Sequence, residues 1–188
     1  MNNENREILL NIARKTIESY AKSKKIPEFS VSEPELLEKR GAFVSLHKNN
    51  DLRGCIGLFT SDKPLYQTIV DMAVSASSCD PRFYPMTVNE LPGISIEISV
   101  LSPLKKIDDV SEIEVGRHGI YIIKGSRRGV LLPQVATEYN WDRDTFLEHT
   151  CLKAGLAPNS WKEKDIEIYT FEAEIFGDKE KPCLLPNI

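Results

Sequence analysis

A cation, a thiol and two glycines stand within one hexapeptide, Leu52-Arg53-Gly54-Cys55-Ile56-Gly57. In a β-strand, alternate side chains share a face, so Arg53 and Cys55 would lie together, roughly 7 Å apart. An arginine at that distance favours the thiolate, the form of cysteine that acts as nucleophile or metal ligand. Gly54 and Gly57 weaken a strand and so indicate a bulge, a bend or the close approach of a backbone or a ligand. The alternative stays open, because a cysteine in an apolar strand is most often a small buried hydrophobe.

Two further segments place carboxylates and a guanidinium where they could join this chemistry. The proline-bounded stretch 79–86 contains Asp80 and Arg82 and is either a binding loop or an ordinary loop pinned to the core. The stretch 94–101 alternates apolar and polar residues, which predicts a strand with Glu97 on its polar face. Glu97 would meet the hexapeptide only if the two strands lie side by side; otherwise its carboxylate is simply solvated.

An imidazole and the remaining thiols complete the candidates. His118 lies in Gly116-Arg117-His118-Gly119, an open position suited to proton transfer, although a hydrogen-bonded structural histidine explains it equally well. The cysteines form no C-x-x-C pair, so we expect free thiols and no structural zinc site. The three histidines lack ligand spacing, and no dedicated metal site is predicted. The cysteines are Cys55, Cys79, Cys151 and Cys183.

Length and composition bound the class of protein. The 188 residues, 41% hydrophobic and 28% charged, are typical of one folded domain, with a core over about residues 5–176 and a tail over 177–188. The net charge of −4 argues against non-specific binding of nucleic acid, which needs basic surface. The absence of a long apolar run and of a signal-like N-terminus predicts a cytoplasmic protein.

In the first half of the chain, periodicity and turn residues predict alternating helices and strands. An amphipathic helix is expected over residues 4–22, a loop over 26–34 and one helical turn over 34–38. A β-hairpin should join residues 42–47 to the hexapeptide through Asn49-Asn50-Asp51. Ser61 or Asp62 can cap the next helix, with Pro64 in its first turn.

The second half predicts another hairpin, two helices and a last strand. Strands at 120–124 and 130–132 would flank a turn whose tip bears Arg127 and Arg128. A short helix should span residues 133–139, and Asp142 should cap a helix that ends at Gly155 and buries Cys151. The last strand is expected over residues 166–176.

Several motifs recur in a fixed order and together resemble the AMMECR-type domain family over about residues 5–176. The resemblance implies an α+β fold of mainly antiparallel sheet flanked by helices, in two unequal lobes, with the hexapeptide near the cleft between them. The motifs are the hexapeptide, Asp80-Pro81-Arg82-Phe83 with Pro85, Ile96-Glu97-Ile98-Ser99-Val100-Leu101-Ser102-Pro103, Gly116-Arg117-His118-Gly119, Leu131-Leu132-Pro133-Gln134-Val135-Ala136, Trp141-Asp142, and Cys151-Leu152-Lys153-Ala154-Gly155-Leu156 with Trp161.

The resemblance also implies a functional setting. Prokaryotic members are similar to the first part of a three-part system with a Memo-like protein and a radical S-adenosylmethionine enzyme. No cofactor of the chain itself is predicted. Family motifs supply catalytic candidates and ligand-binding candidates. The catalytic candidates are Cys55, His118 and Glu97, and the ligand-binding candidates are Arg53, Gly54, Gly57, Asp80, Arg82, Gln134 and Glu138.

Three functions follow as hypotheses. The first is a small-ligand or thiol-dependent enzymatic site, in which Cys55 reacts, Arg53 favours its thiolate or holds an anionic group, and His118 or Glu97 moves a proton. The second is a non-catalytic adaptor for the two partners, with the arginine and aromatic residues of 80–84 as anchors. The third, least favoured by the acidic charge, is a nucleic-acid-linked regulator that would use Arg82 with two basic residues of the second hairpin.

Overall fold

The structure is a computed structural model that describes residues 1–178; the predicted tail from residue 179 onward, with Cys183, lies outside the described residues. The chain divides into two compact units. The first unit comprises Met1–Val100 together with the chain from Ile175, and the second unit comprises Leu101–Glu174. The prediction that the chain forms a single domain stays a prediction.

Among its described residues the first unit contains three α-helices, one 3-10 helix and the strands β1 to β3, and the periodicity of the sequence predicts the α-helices and these strands. The predicted first helix, the helical turn at Pro34, the hairpin and the alternating strand are confirmed. The elements are α1 (Asn3–Ser23), α2 (Pro34–Leu37), β1 (Ala42–Lys48), β2 (Asp51–Leu58), α3 (Leu65–Ser78), a 3-10 helix (Val88–Gly93) and β3 (Ile94–Leu101).

The predicted start of α3 is wrong. Neither Ser61 nor Asp62 caps the helix, which begins at Leu65 with Pro64 as its N-cap residue. The Leu65 amide donates a hydrogen bond of 2.8 Å to the Glu38 carbonyl, and Pro64 forms a β-bridge with Lys39. The backbone before α3 is therefore held by a distant segment, which local capping signals do not reveal.

The sheet of the first unit has two faces of different character. Strand β1 lies between β2 and β3, and both pairings are antiparallel. Ala42, Val44 and Leu46 of β1 are buried in one hydrophobic cluster with residues of α1 and α3. Because side chains alternate along a strand, the intervening residues project from the opposite face. We call it the Cys55 face, defined by Ser45 and His47 of β1, Cys55 of β2 and Glu97 of β3.

The second unit is also α+β. Strand β5 pairs with β6 on one side and with β7 on the other, and β4 pairs with β7 as well; every pairing is antiparallel. The last residues of β7, from Ile175, belong to the first unit. The elements are β4 (Lys105–Ile107), a 3-10 helix (Val110–Glu112), β5 (His118–Lys124), β6 (Arg127–Leu131), α4 (Pro133–Glu138), α5 (Arg143–Lys153), a 3-10 helix (Pro158–Lys162) and β7 (Glu167–Gly177).

The predicted ends of α5 are confirmed, whereas the predicted hairpin tip is corrected. Asp142 accepts a 2.9 Å hydrogen bond from the Thr145 amide at the start of α5, and Gly155 follows its end with φ of 69°. The turn between β5 and β6 consists of Gly125 and Ser126 alone, so the predicted five-residue turn is too long. The two arginines placed at its tip belong instead to β6, where Arg127 pairs with Lys124 and Arg128 with Ile123.

These elements confirm the predicted α+β class, with mainly antiparallel sheet flanked by helices in two unequal units. The cleft that the resemblance implies stays a prediction. Among the described helices, none combines the length and the apolar character that a membrane crossing requires.

Candidate functional site

The Cys55 thiol is half-buried and accepts a hydrogen bond from a neighbouring strand. Cys55 on β2 stands opposite Ser45 on β1, and the Ser45 hydroxyl donates to the Cys55 Sγ at 3.1 Å. In an antiparallel sheet, two opposite residues that do not hydrogen-bond to each other have their side chains close together. Cys55 is such a residue, because its amide bonds outward to Asp80 rather than to β1. The thiol is therefore held by the sheet, on the face opposite to the hydrophobic cluster.

Glu97 completes a row of three side chains across the sheet. Ser45 is the registered partner both of Cys55 on β2 and of Glu97 on β3. Because β1 intervenes, the backbones at Cys55 and Glu97 are two strand spacings apart, roughly 10 Å. The direct contact between them that adjacent strands would have allowed therefore does not arise. A ligand lying along the row would instead meet a thiol, a hydroxyl and a carboxylate in sequence.

Gly57 makes room for an aromatic ring beside this row, at the next pair along β1 and β2. A Cβ atom at Gly57 would lie 2.1 Å from the nearest ring atom of Phe43, so the missing side chain lets that ring lie over β2. The Phe43 ring packs edge-on against Phe59 with centroids 5.1 Å apart. The predicted close approach at this glycine is confirmed, and the neighbour is an aromatic ring.

Gly54 faces the other side of the sheet and admits a helix. A Cβ atom there would lie 2.2 Å from the carbonyl oxygen of Ala76 in α3. Such a contact with backbone cannot be relieved by turning a side chain. The second predicted close approach is thus confirmed as contact with another backbone, and Gly54 fixes α3 against the strand that carries Cys55.

Asp80 and Arg82 saturate the outer edge of β2 at Cys55. The buried Asp80 carboxylate accepts a 2.8 Å hydrogen bond from the Cys55 amide, while Arg82 Nη2 donates to the Cys55 carbonyl at 3.3 Å. Arg82 also binds both carboxylate oxygens, at 3.0 and 2.7 Å. These hydrogen bonds from Arg82, followed by that from the Cys55 amide, hold the pKa of Asp80 far below its ordinary range. The pair replaces a neighbouring strand and fixes the backbone of the candidate nucleophile.

Arg53 is paired with a carboxylate that the sequence does not single out. It donates to Glu90 through Nε at 2.9 Å and Nη2 at 3.2 Å, and to the Tyr84 carbonyl at 3.0 Å. The bond from Arg53 and that from the Thr87 amide lower the pKa of Glu90 from 4.5 to about 2. The Phe83 ring lies 5.7 Å from the Arg53 guanidinium. Because the charge of Arg53 is matched in this way, we interpret the residue as a positioning residue.

The remaining candidates lie in the second unit. The side chain of His118 is 17% exposed, and its Nδ1 accepts a 3.1 Å hydrogen bond from the Glu114 amide, as expected of a structural histidine. Gln134 in α4 has a buried Oε1 without a hydrogen-bond partner within residues 1–178. Glu138 is exposed at the end of α4. The structure therefore gathers the other seven candidates in the first unit: Arg53, Gly54, Cys55, Gly57, Asp80, Arg82 and Glu97.

Three residues of the first unit contribute to the site although the sequence motifs do not include them as candidates. Ser45 contacts the thiol, Glu90 holds Arg53, and His47 shares the Cys55 face with a buried Nε2. A signal exists for Glu90, because Thr87-x-x-Glu90 forms a capping box at the 3-10 helix. For Ser45 and His47 the available signal is the alternation of β1, which places them together on the face away from the core.

The other described cysteines differ sharply in environment. Cys79 is exposed, whereas Cys151 is fully buried in the core of the second unit, as predicted. Burial raises the pKa of the Cys151 thiol above its ordinary value. None of the three cysteines in residues 1–178 forms a disulfide. Over the same residues, no group of three or more potential ligands from histidine, cysteine, aspartate and glutamate is placed to hold a metal ion.

Comparisons with known proteins identify the family. The AMMECR1 family model matches residues 10–176. A protein of Methanopyrus kandleri is 47% identical over 186 residues, covering 94% of this chain and 90% of the relative. A protein of Methanocaldococcus jannaschii is 45% identical over 177 residues, covering 89% and 87%. The crystal structure of the uncharacterised protein PH0010 from Pyrococcus horikoshii matches with a TM-score of 0.84 and 40% identity, over 95% of this chain and 94% of that one. The chain therefore belongs to the AMMECR1 family.

Proposed function

We propose that the Cys55 face binds a small molecule and that the Cys55 thiol reacts with it or ligates it. The carrying observation is that the sheet holds a half-buried thiol outside the hydrophobic cluster, with the Ser45 hydroxyl donating to its sulfur at 3.1 Å. A donor aimed at sulfur stabilises the negative charge of a thiolate. Cys151 in the second unit is the contrasting environment, because it is fully buried in a hydrophobic core and burial raises the pKa of its thiol, although the Trp161 backbone also bonds to it.

The charges around the thiol support a framework role for the two arginines. Arg53 is held by Glu90 and Arg82 by Asp80, so each guanidinium is bound by a carboxylate of the framework, and Lys48 at 3.5 Å adds one further cation to Glu90. We therefore revise the role of Arg53 that the hexapeptide suggests. In this proposal the ion pairs fix the strand and its edge, and the ligand meets the Cys55 thiol beside Ser45.

An adaptor role is the second candidate. Tyr84 is 91% exposed, and the neighbouring Arg82 side chain is 54% exposed, so the loop presents the residue types that anchor protein interfaces. The Memo-like and radical S-adenosylmethionine partners implied by the resemblance are the partners this proposal would use. The cytoplasmic setting of such a system stays a prediction.

Covalent labelling of the full-length protein separates the two candidates. Folded protein is treated with a panel of chloroacetamide fragments, and labelling is quantified for each cysteine by peptide mass spectrometry. We expect some fragments to label Cys55 faster than Cys79, although Cys79 is the more exposed thiol. The reason is that a binding site at Cys55 would hold the fragment next to the thiol before the two react. Denaturation should abolish that preference.

Cys151 and Ser45 provide the controls. Cys151, being fully buried, should stay unlabelled until the protein unfolds. The Ser45→Ala variant should lower the Cys55 labelling rate at pH 7 by about fivefold, since one hydrogen bond to the sulfur is lost. The matched Ser75→Ala variant removes a hydroxyl that bonds within α3 and should leave the rate unchanged. Labelling that follows exposure alone, or a Cys55 that reacts only together with Cys151, would exclude the thiol role and leave the adaptor as the leading function.

A further inference from the structure

His47 projects from the same face of the sheet as Cys55. Strands β1 and β3 pair in unbroken register, with Ser45 opposite Glu97 and His47 opposite Ser95. Since alternate residues share a face, His47 lies on the face of Ser45, and Cys55 stands opposite Ser45 on β2. His47 and Cys55 are therefore diagonal cross-strand neighbours. Such neighbours have Cα atoms roughly 7 to 8 Å apart, a span that an aromatic side chain can bridge.

The imidazole of His47 has a ring nitrogen that folding leaves unused. Its Nε2 is buried and has no hydrogen-bond partner within residues 1–178. Buried polar atoms are nearly always paired, and an unpaired one calls for a specific explanation, such as a ligand or a catalytic role. By contrast, Nδ1 of His118 accepts a backbone hydrogen bond, and His149 stacks on the Trp141 ring with centroids 3.9 Å apart.

A β-bulge adjoins His47. The register between β1 and β2 shifts after Leu46, so that Gly54 faces Leu46 while Leu52 faces His47, and Arg53 is the extra residue. Bulges redirect side chains and are frequent beside active sites. Here the extra residue binds Glu90 and Tyr84 rather than a residue of β1. The Arg53 guanidinium is thus bound by Glu90 and Tyr84, although Arg53 lies on β2, the strand that pairs with the strand of His47.

We propose that His47 is the general base of the site, accepting the proton of the Cys55 thiol at its Nε2 when a ligand binds. This inference rests on the proposed function and assigns a residue to it. The step moves one proton from sulfur to nitrogen and yields a thiolate and an imidazolium, so it needs no further reactant. A nucleophile activated by an adjacent base is the arrangement that cysteine chemistry commonly uses.

The effect of other charged groups near His47 and Cys55 must be distinguished from the effect of His47. Arg53 on β2 is paired with Glu90, to which Lys48 of β1 also binds at 3.5 Å. At the sheet edge Asp80 is paired with Arg82. The pKa values of both paired carboxylates are lowered, so these groups stay charged above pH 5. Glu97 of β3 is the further carboxylate on the face, and a Glu97→Gln variant measures its contribution.

The test is the pH dependence of Cys55 alkylation by iodoacetamide in the full chain. Rates are measured from about pH 5 to 10 by peptide mass spectrometry, with Cys79 of the same molecules as internal reference. His47→Gln keeps a polar side chain but removes the base. We expect its Cys55 rate to fall at least tenfold near pH 7 and to equal the wild-type rate near pH 10, where hydroxide replaces the base. His149→Gln, the matched control, should follow the wild-type curve, and the effect of His47→Gln should persist when Glu97→Gln is added to both proteins.

The outcomes keep the two proposals apart. If His47→Gln and wild type give the same rate curve, His47 is not the base, although the thiol site stands. If Cys55 of the wild type is silent at every pH until Cys151 also reacts, the proposed function itself fails. Should His47→Gln unfold, nuclear magnetic resonance spectra of the His47 ring in the wild-type protein replace it. Alkylating Cys55 should then change the chemical shifts of the His47 ring nitrogens, and unchanged ring resonances would overturn the inference.

Discussion

Glu90 shows how one carboxylate can hold the candidate site together. It accepts two hydrogen bonds from Arg53 and one from the Thr87 amide, and these bonds lower its pKa to about 2. We expect Glu90→Gln to reduce the free energy of unfolding at pH 7 by about 1.5 to 3 kcal/mol, as is typical for bonds to a charged group. Urea unfolding at pH 7 measures the loss.

The same variant carries a pH signature. A carboxylate whose folded pKa is depressed adds stability above its unfolded pKa, and that stability is lost as the pH falls toward the folded pKa. The difference between wild type and Glu90→Gln should therefore be full above pH 4.5 and shrink as the pH falls toward about 2. The matched variant Glu112→Gln removes an exposed partner of Lys105 and should change stability little at either pH. A Glu90→Gln difference that is constant from pH 7 to pH 3 would contradict the assignment.

For individual residues, the sequence identifies candidate side chains but not the residues that bind them. Cys55 and Arg53 stand out because a thiol and a cation lie together in a glycine-bearing strand, and Asp80 stands out because it shares a proline-bounded loop with Arg82. That Arg53 binds Glu90 does not follow from them, because 37 positions separate the two residues and the contact depends on the path of the loop between them. Ser45 and His47 become visible as site residues only when the register of β1 against its two neighbours is known.

For helices and strands, the features set by local sequence are predicted well, whereas the features set by tertiary contacts are not. Strand β3 follows its predicted bounds and α5 its predicted caps, because alternation and capping act within a few residues. The order of β2, β1 and β3 is not a local property, since the prediction left open whether β3 adjoins β2. The start of α3 fails for the same reason, because a hydrogen bond to Glu38 fixes Leu65.

The contact of α3 with β2 supplies a test at the scale of elements. In Gly54→Ala the new methyl group would lie 2.2 Å from the Ala76 carbonyl oxygen, so the helix or the strand must move. We expect a loss of about 2 to 3 kcal/mol in the free energy of unfolding, the usual effect of overpacking. Urea unfolding of the full chain is the measurement.

Gly93→Ala is the matched control for that substitution. No atom lies within 4 Å of the Cβ position at Gly93, and its backbone is not in the left-handed region, so a change within about 0.5 kcal/mol is expected. If both alanine variants were equally stable, the close approach of α3 would not constrain the strand. Loss of stability in Gly93→Ala alone would likewise contradict the packing described for β2.

For the whole molecule, charge bears on the least favoured function. The net charge is −4, and the two arginines of β6 donate to backbone carbonyls, Arg127 to Gly155 and Arg128 to Gly125 at 2.6 Å. Binding to nucleic acid draws most of its free energy from cations that neutralise phosphates, and it is strongest at low salt. We therefore expect no change in fluorescence anisotropy when the protein is titrated into labelled duplex DNA or RNA at about 20 mM salt.

A positive result would have to behave in a specific way to revive the nucleic-acid hypothesis. Binding should weaken steeply as salt increases, because released counterions drive it. The double variant Arg127→Gln with Arg128→Gln should reduce the affinity, whereas Lys105→Gln, which removes a cation paired with Glu112, should not. Saturable binding with both properties would overturn the argument from charge and would locate the interaction on β6 of the second unit, on a different unit from the Cys55 face. Binding that is insensitive to salt and to both arginine substitutions would instead indicate recognition of the bases or of another small group. Whether the thiol site is responsible would then be decided by adding free nucleotides and measuring whether they slow the labelling of Cys55.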